Sequence, residues 1–164
     1  MAITAWSALW YLPFVVPICI WVAWSDMKFM KIPNYAVYSL AVIFVVVGIV
    51  ALPLVEIPFR LLQLILVLVV GFALNMIGAI GAGDAKFAAV MAPFLALGDM
   101  RFMLYLLAGV LLSAVVTHKI FKRIPAMRDL TPEWESWSNK KFPMGLALGP
   151  ALAFYLLAGA IYGA

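Results

Sequence analysis

Residues 59–86 read FRLLQLILVLVVGFALNMIGAIGAGDAK. From Phe59 to Ile80 the only charge is Arg60, close to the start, and Gln63 and Asn75 are the only amides. About 20 consecutive, mostly apolar residues are what a helix needs to cross the hydrocarbon of a bilayer. The block does not alternate as a barrel strand would. Working outward, comparable blocks occur at Ala5–Trp24, Tyr35–Leu54, Phe102–Thr117 and Phe142–Tyr162, with a shorter one at Ala85–Leu97. The 164 residues are 68% hydrophobic and 11% charged, with a mean hydropathy of +1.14. Soluble domains run at about 45–50% apolar and about 25% charged, so a soluble globule and a disordered chain are both excluded. The expected fold is an all-α polytopic transmembrane bundle of about six spans, forming one domain over residues 1–164. The fourth block falls below spanning length, which leaves a tilted span or a re-entrant piece.

Charge placement favours six spans over five. With six, the connections after spans one, three and five share a side, and that side holds Lys28, Lys31, Lys86, Lys119, Lys122, Arg123, Arg128, Lys140 and Lys141. Only Arg60 and Arg101 fall on the other. Cations concentrate on cytoplasmic loops, so both termini are expected outside, in a cell inner membrane. The net charge of +4 is thereby explained by topology, and nucleic acid is not an expected partner. The N-terminus has no basic n-region or small-residue cleavage site, so the first block reads as a retained span. The one long polar stretch, 119–141, holds Thr131-Pro132-Glu133-Trp134-Glu135 and Trp137. It reads either as a solvated loop or as a short helix begun at Pro132 and lying on the membrane surface.

Chemistry is carried by the polar minority. A single cysteine, Cys19, and a single histidine, His118, exclude a disulfide, a CxxC pair and a His-rich metal site; no cofactor or metal is expected. Cys19 reads as a small core residue and His118 as an interfacial one. Asp26, at the end of span one, and Asp84, at the junction of spans three and four, are placed on the same side and at similar depth. Carboxylates at a membrane boundary are costly to bury. From residue type and topology alone, a helix cap at Asp26 and an interfacial anchor at Asp84 outweigh a catalytic pair. As a pair, however, two nearby carboxyls do not easily both ionise. One can take a proton from water while the other donates to a peptide carbonyl or leaving amine.

The surrounding motifs shift that balance. Gly81-Ala82-Gly83-Asp84-Ala85-Lys86 is G-x-G-D-x-K at a span boundary, and Asp26 is followed by Ile32-Pro33-Asn34 as D-x5-I-P-N. Phe142-Pro143-Met144-Gly145-Leu146-Ala147-Leu148-Gly149 holds P-x-G-x3-G at the opening of the last span. In this order and topology the three elements resemble the type IV prepilin peptidase family of membrane aspartic proteases, over essentially the whole chain. The resemblance implies that Asp26 and Asp84 are catalytic. It also implies that the substrates are the short basic leaders of prepilins and pseudopilins, cut at the cytoplasmic face of the membrane. Larger members carry a cysteine-rich zinc domain and N-methylate the product. Without a CxxC pair, this chain looks like the compact form of Flp-type tight-adherence pili or the archaeal preflagellin peptidases, and methyltransferase activity is not expected.

Supporting roles follow from the same motifs. Lys86 reads equally as a partner of Asp84, a substrate contact or a topology anchor. Pro33 and Asn34 read as the stop of a loop and the start of span two, Asn34 as a cap. Asn75 reads as interhelical glue, and Gly145 and Gly149 as a close-packing GxxxG. Two rivals remain. Presenilin-type proteases share GxGD but place the other aspartate in Y-D, whereas Asp26 follows Trp24-Ser25. A small transporter or a structural subunit of a pilus or secretion assembly would use the carboxylates as ion sites, but no internal repeat is evident. Expected partners are leader peptides and the bilayer, with a homo-oligomer left open.

Overall fold

The computed structural model describes residues 1–139 and 141–164. Lys140, counted above with the cytoplasmic cations, lies outside the described residues. Seven helices follow in order: α1 (Ala5–Phe29), α2 (Asn34–Ala51), α3 (Ile57–Met76), α4 (Ala82–Met91), α5 (Met100–Arg123), α6 (Pro125–Leu130) and α7 (Gly145–Tyr162). No strand occurs among the described residues. Among the described residues five helices are long and apolar enough to cross a membrane: α1, α2, α3, the run Leu97–Arg123 that contains α5, and α7. The fold is therefore the all-α polytopic bundle expected.

α1 owes its place at the centre to a stripe. Ala8, Tyr11, Val15, Ile18, Cys19, Val22, Ser25 and Asp26 are buried, at the three- and four-residue spacing of one helix face. That face packs along α7, whose Ala147, Leu148, Ala151, Leu152, Tyr155 and Leu156 repeat the pattern. α1 also packs on α2, and α5 packs on α7. Pro13 and Pro17 lie inside α1, as membrane helices tolerate where neighbours satisfy the freed carbonyls. Tyr11, Phe44 and Phe94 meet at ring centroids 4.8–6.3 Å apart and tie α1 to α2 and to the segment after α4.

The fourth block is not a full-length span. After ten residues of α-helix it continues as a 3-10 turn, Ala92–Phe94, then extended backbone at Leu95 and Ala96, and a second turn, Leu97–Asp99. Pro93 breaks the α ladder because it lacks an N–H. The segment nonetheless runs from one end of the bundle to the other. Asp84 lies beside the C-terminal end of α1, while Asp99 accepts from the N–H groups of Ala2 and Ile3, at 2.6 and 2.9 Å, at its N-terminal end. At 1.5, 2.0 and 3.3 Å per α, 3-10 and extended residue, Asp84 to Asp99 can span at most roughly 29 Å, with its pieces in line. That is close to the hydrocarbon thickness of about 30 Å. Irregular backbone is tolerable here because Phe87, Ala89–Ala92 and Phe94–Ala96 are buried by protein. The chain ends share the Asp99 end, where the Met1 amino group donates to the Tyr162 carbonyl at 3.2 Å.

Several local expectations need correction. α5 runs on to Arg123, and the short helix beyond it begins at Pro125, not Pro132. Extended Ile124 suits the residue before a proline, whereas Pro132 sits in a turn. Trp137 leaves the surface and is buried, stacked on His118 at 5.4 Å, and donates to the Thr131 carbonyl at 3.0 Å. His118 is consequently buried within the protein, near the basic end of α5. Asn75 donates to the Ile80 carbonyl at 2.8 Å, stapling its own turn instead of a neighbouring helix.

Candidate active site

The two sequence motifs reach each other through two short connections. α1 ends where Met30 adopts a left-handed conformation, φ 50°, with its N–H on the Asp26 carbonyl. The Ser25 hydroxyl then donates to the Lys31 carbonyl at 3.0 Å, which folds the chain back. Ile32 is thereby buried, and extended Pro33 leads into α2. On the other side, α3 ends in a turn with Gly78 at φ +74°, a conformation that glycine adopts without strain. Extended Gly81 then starts α4. Gly83 lies against Ile32, with room for an ordinary contact, so the I-P-N turn rests on the first turn of the helix that carries Asp84.

Asp26 is 4% exposed. Its Oδ2 accepts from the N–H of Gly145 at 2.6 Å, the first residue of α7. A carboxylate at a helix N-terminus is favoured by the helix dipole and by donors with no partner inside the helix. Gly145 is required by closeness: a Cβ there would stand 2.9 Å from the Asp26 Cβ and 3.0 Å from Oδ2. One turn on, a Cβ at Gly149 would stand 2.5 Å from the Cys19 carbonyl oxygen. The two glycines thus let α7 lie directly on the backbone of α1.

Asp84 occupies the third position of α4, and its Oδ2 accepts from the Gly81 N–H at 3.2 Å. Burial raises its pKa above the usual carboxylate range, and the Gly81 bond opposes the shift only in part. Lys86 forms no ion pair with Asp84. Two residues apart on a helix, they point in different directions, and Lys86 instead donates to Asn34 Oδ1 at 3.4 Å. Asn34 is therefore the first residue of α2 and not its cap, which is Pro33, and its side chain joins the I-P-N and G-x-G-D-x-K elements.

Asp26 and Asp84 line one cavity of about 370 Å³, together with Ile32, Asn34, Gly81, Gly83, Lys86, Lys31, Lys141, Phe142 and Met144. Pro143 and Gly149 are buried and do not line it. Lys31 and Lys141 read from the sequence as topology charges, and Phe142 and Met144 as motif positions; the fold brings all four to the cavity. A larger cavity of about 690 Å³ lies between α1, α5, α6 and α7, but it contains no carboxylate, and its walls are apolar except for Thr117, Thr131, His118 and Cys19. Of these two cavities the smaller presents two acids to a common space, the arrangement that can divide proton abstraction and proton donation.

The model of the type IV leader peptidase family matches residues 2–118. No curated protein and no solved structure matches the chain. The match spans both aspartates and ends before Gly145. On this match across most of its length, the chain belongs to the type IV leader peptidase family.

Proposed function

We propose that the protein is a membrane aspartic endopeptidase that removes the leader peptides of Flp-type prepilins and pseudopilins, with residues 1–164 acting as a single peptidase domain. The observation that carries this reading is the shared cavity of Asp26 and Asp84. In the proposed cycle, one carboxylate takes a proton from a water molecule, whose oxygen attacks the scissile carbonyl. The other carboxyl, still protonated, gives its proton to the carbonyl oxygen. As the tetrahedral intermediate collapses it takes a proton back from the hydroxyl, while the first carboxyl passes the proton taken from water to the departing amine. The Gly145 and Gly81 N–H groups hold one oxygen of each aspartate, which leaves the other for water or substrate. Peptide nitrogen is only cleaved, not methylated, in this reading.

The cations around the cavity support a site at the cytoplasmic face of an inner membrane, with the Asp99 end and both termini outside in this reading. A presenilin-like intramembrane protease is the less favoured alternative, because the turn after Asp26 is organised by Ile32 and Asn34. The test is processing of a prepilin in membranes by Asp26→Asn and Asp84→Asn. Each substitution is expected to abolish cleavage while the protein inserts and folds. Full cleavage by either variant overturns the two-aspartate mechanism.

A further inference from the structure

Two groups stand out among the cations at the Asp26–Asp84 end, while Lys119, Arg123 and Arg128, on α5 and α6, belong to neither. Lys28 is committed to Glu133, at 3.0 Å, and Lys122 donates to the Asn139 carbonyl at 3.3 Å. Lys31, Lys86 and Lys141 have no carboxylate within ion-pair distance among the described residues, and all three line the catalytic cavity. They come from the α1–α2 connection, α4 and the approach to α7. Three separate chain segments therefore present ammonium groups to the space that holds the two acids. All three residues are exposed, so their charges remain hydrated until something enters.

A topology signal alone needs cations on this side of the membrane, not around one cavity. Nor do the lysines neutralise the aspartates by contact. Basic leaders make the arrangement more pointed, because lysines on the rim repel the leader's own cations. Resting on the leader peptidase reading, we propose that Lys31, Lys86 and Lys141 form an anion subsite that binds an acidic side chain of the substrate close to the scissile bond. The basic part of the leader is held outside the rim. Selection then works in two directions, by attraction of the acidic group and by repulsion of a peptide entering in the wrong register. The occupant is a side chain of the peptide rather than a lipid phosphate, because the lysines border the space that the reacting peptide itself must occupy.

The test uses a prepilin-type peptide cleaved by the full-length protein in nanodiscs, with each acidic side chain flanking the scissile bond changed in turn to Gln and to Lys. Lys31→Gln, Lys86→Gln and Lys141→Gln are each expected to raise KM roughly three- to fivefold, the size of an exposed ion pair, with kcat nearly unchanged. One acid-to-Gln peptide should show the same rise with the wild-type enzyme and no further rise with the lysine variants. Lys86→Glu should recover cleavage of the matching acid-to-Lys peptide.

Equal cleavage of all peptides by the wild type overturns the subsite. So does a lysine defect that is the same for every peptide, whether it appears as a displaced pH profile, which would mean the lysines tune the aspartates, or varies with the anionic lipid content of the disc. The outcomes separate from those of the parent reading. If Asp26→Asn and Asp84→Asn still cleave, the peptidase mechanism fails. If they are inactive and the charge swap has no effect, only the subsite fails.

Discussion

Replacing Gly145 with alanine tests whether helix α7 positions Asp26, one of the two proposed catalytic aspartates. The added Cβ would lie 2.9 Å from the Asp26 Cβ and 3.2 Å from its Cγ, where carbon atoms ordinarily rest about 3.5–4.0 Å apart. The Asp26 Cβ is fixed to the α1 backbone, so rotating the carboxyl away does not relieve the contact. α7 must withdraw from α1 by roughly 0.6–1 Å, or the start of α7 must unwind. Overpacking of this kind costs about 1–3 kcal/mol of stability. A displacement of about 1 Å at a reacting group costs on the order of 10² in rate. The N–H of residue 145 survives the substitution, so the loss comes from geometry rather than from a missing donor. Leader cleavage by purified Gly145→Ala in nanodiscs, with thermal unfolding in parallel, should show kcat/KM down about a hundredfold in a protein that still folds. Two comparisons bracket the result. Gly149→Ala faces the Cys19 carbonyl at 2.5 Å, backbone against backbone, and should fail to assemble. Gly109 has nothing within 4 Å, so Gly109→Ala should be neutral or gain about 0.5–1 kcal/mol by stiffening α5. Wild-type cleavage by a normally folded Gly145→Ala would refute the view that this contact places Asp26.

The two glycines of the G-x-G-D motif are expected to behave differently in the same cleavage assay. A Cβ at Gly81 stands 2.7 Å from Asp84 Oδ2, so Gly81→Ala should displace the carboxyl and lower activity by about tenfold or more. At Gly83 the nearest atom is 3.5 Å away, so Gly83→Ala should retain most activity. Burial keeps Asp84 protonated to higher pH than in the unfolded chain. The stability linked to that proton is present in full below the unfolded pKa and is lost as pH rises through the higher folded pKa. Relative to wild type, Asp84→Asn should therefore gain melting temperature as pH increases; a constant difference would rule this out. At the far end, Asp99 accepts from Ala2, Ile3 and the Tyr155 hydroxyl, all within 2.9 Å. Asp99→Asn offers one oxygen in place of two and should lose about 2–4 kcal/mol of stability. At a permissive temperature cleavage should persist, because the site is at the other end.

Composition made the membrane bundle legible, because long apolar blocks allow few alternatives. Helix ends were less so. α1 runs through Asp26 to Phe29 because its buried stripe continues beyond the apolar block, through Ser25 and Asp26. A count of apolar residues stops at Trp24, but the three- and four-residue spacing would have carried the helix on and turned Asp26 inward. The fourth block was legible as unusual but not as a helix with a broken tail, since its irregular backbone depends on burial supplied by α2, α3 and α7. Lys86 paired with Asn34, not with Asp84, because helical geometry separates residues two apart and tertiary folding chooses the partner. In the sequence Lys31 and Lys141 read only as topology charges, and nothing in spacing alone brings them to one rim.

The family match ends at residue 118, yet the hydrogen bond that fixes Asp26 comes from residue 145. The acid-bearing segments cannot by themselves form this site. Asp26 sits on the face of α1 that α7 covers, so removing α7 would expose that face and take away its Gly145 donor. Burial and donation arrive together, because the small residues that let α7 approach α1 are the same ones that bring the helix N-terminus to the carboxyl. Close packing at Gly149 sets how near Gly145 can come, and Gly145 sets where Asp26 points. In this chain the last helix is therefore as much a part of the proposed active site as the G-x-G-D turn. Gly145 and Gly149 are constrained by contact with α1, whereas Met144, between Pro143 and Gly145, lines the cavity itself.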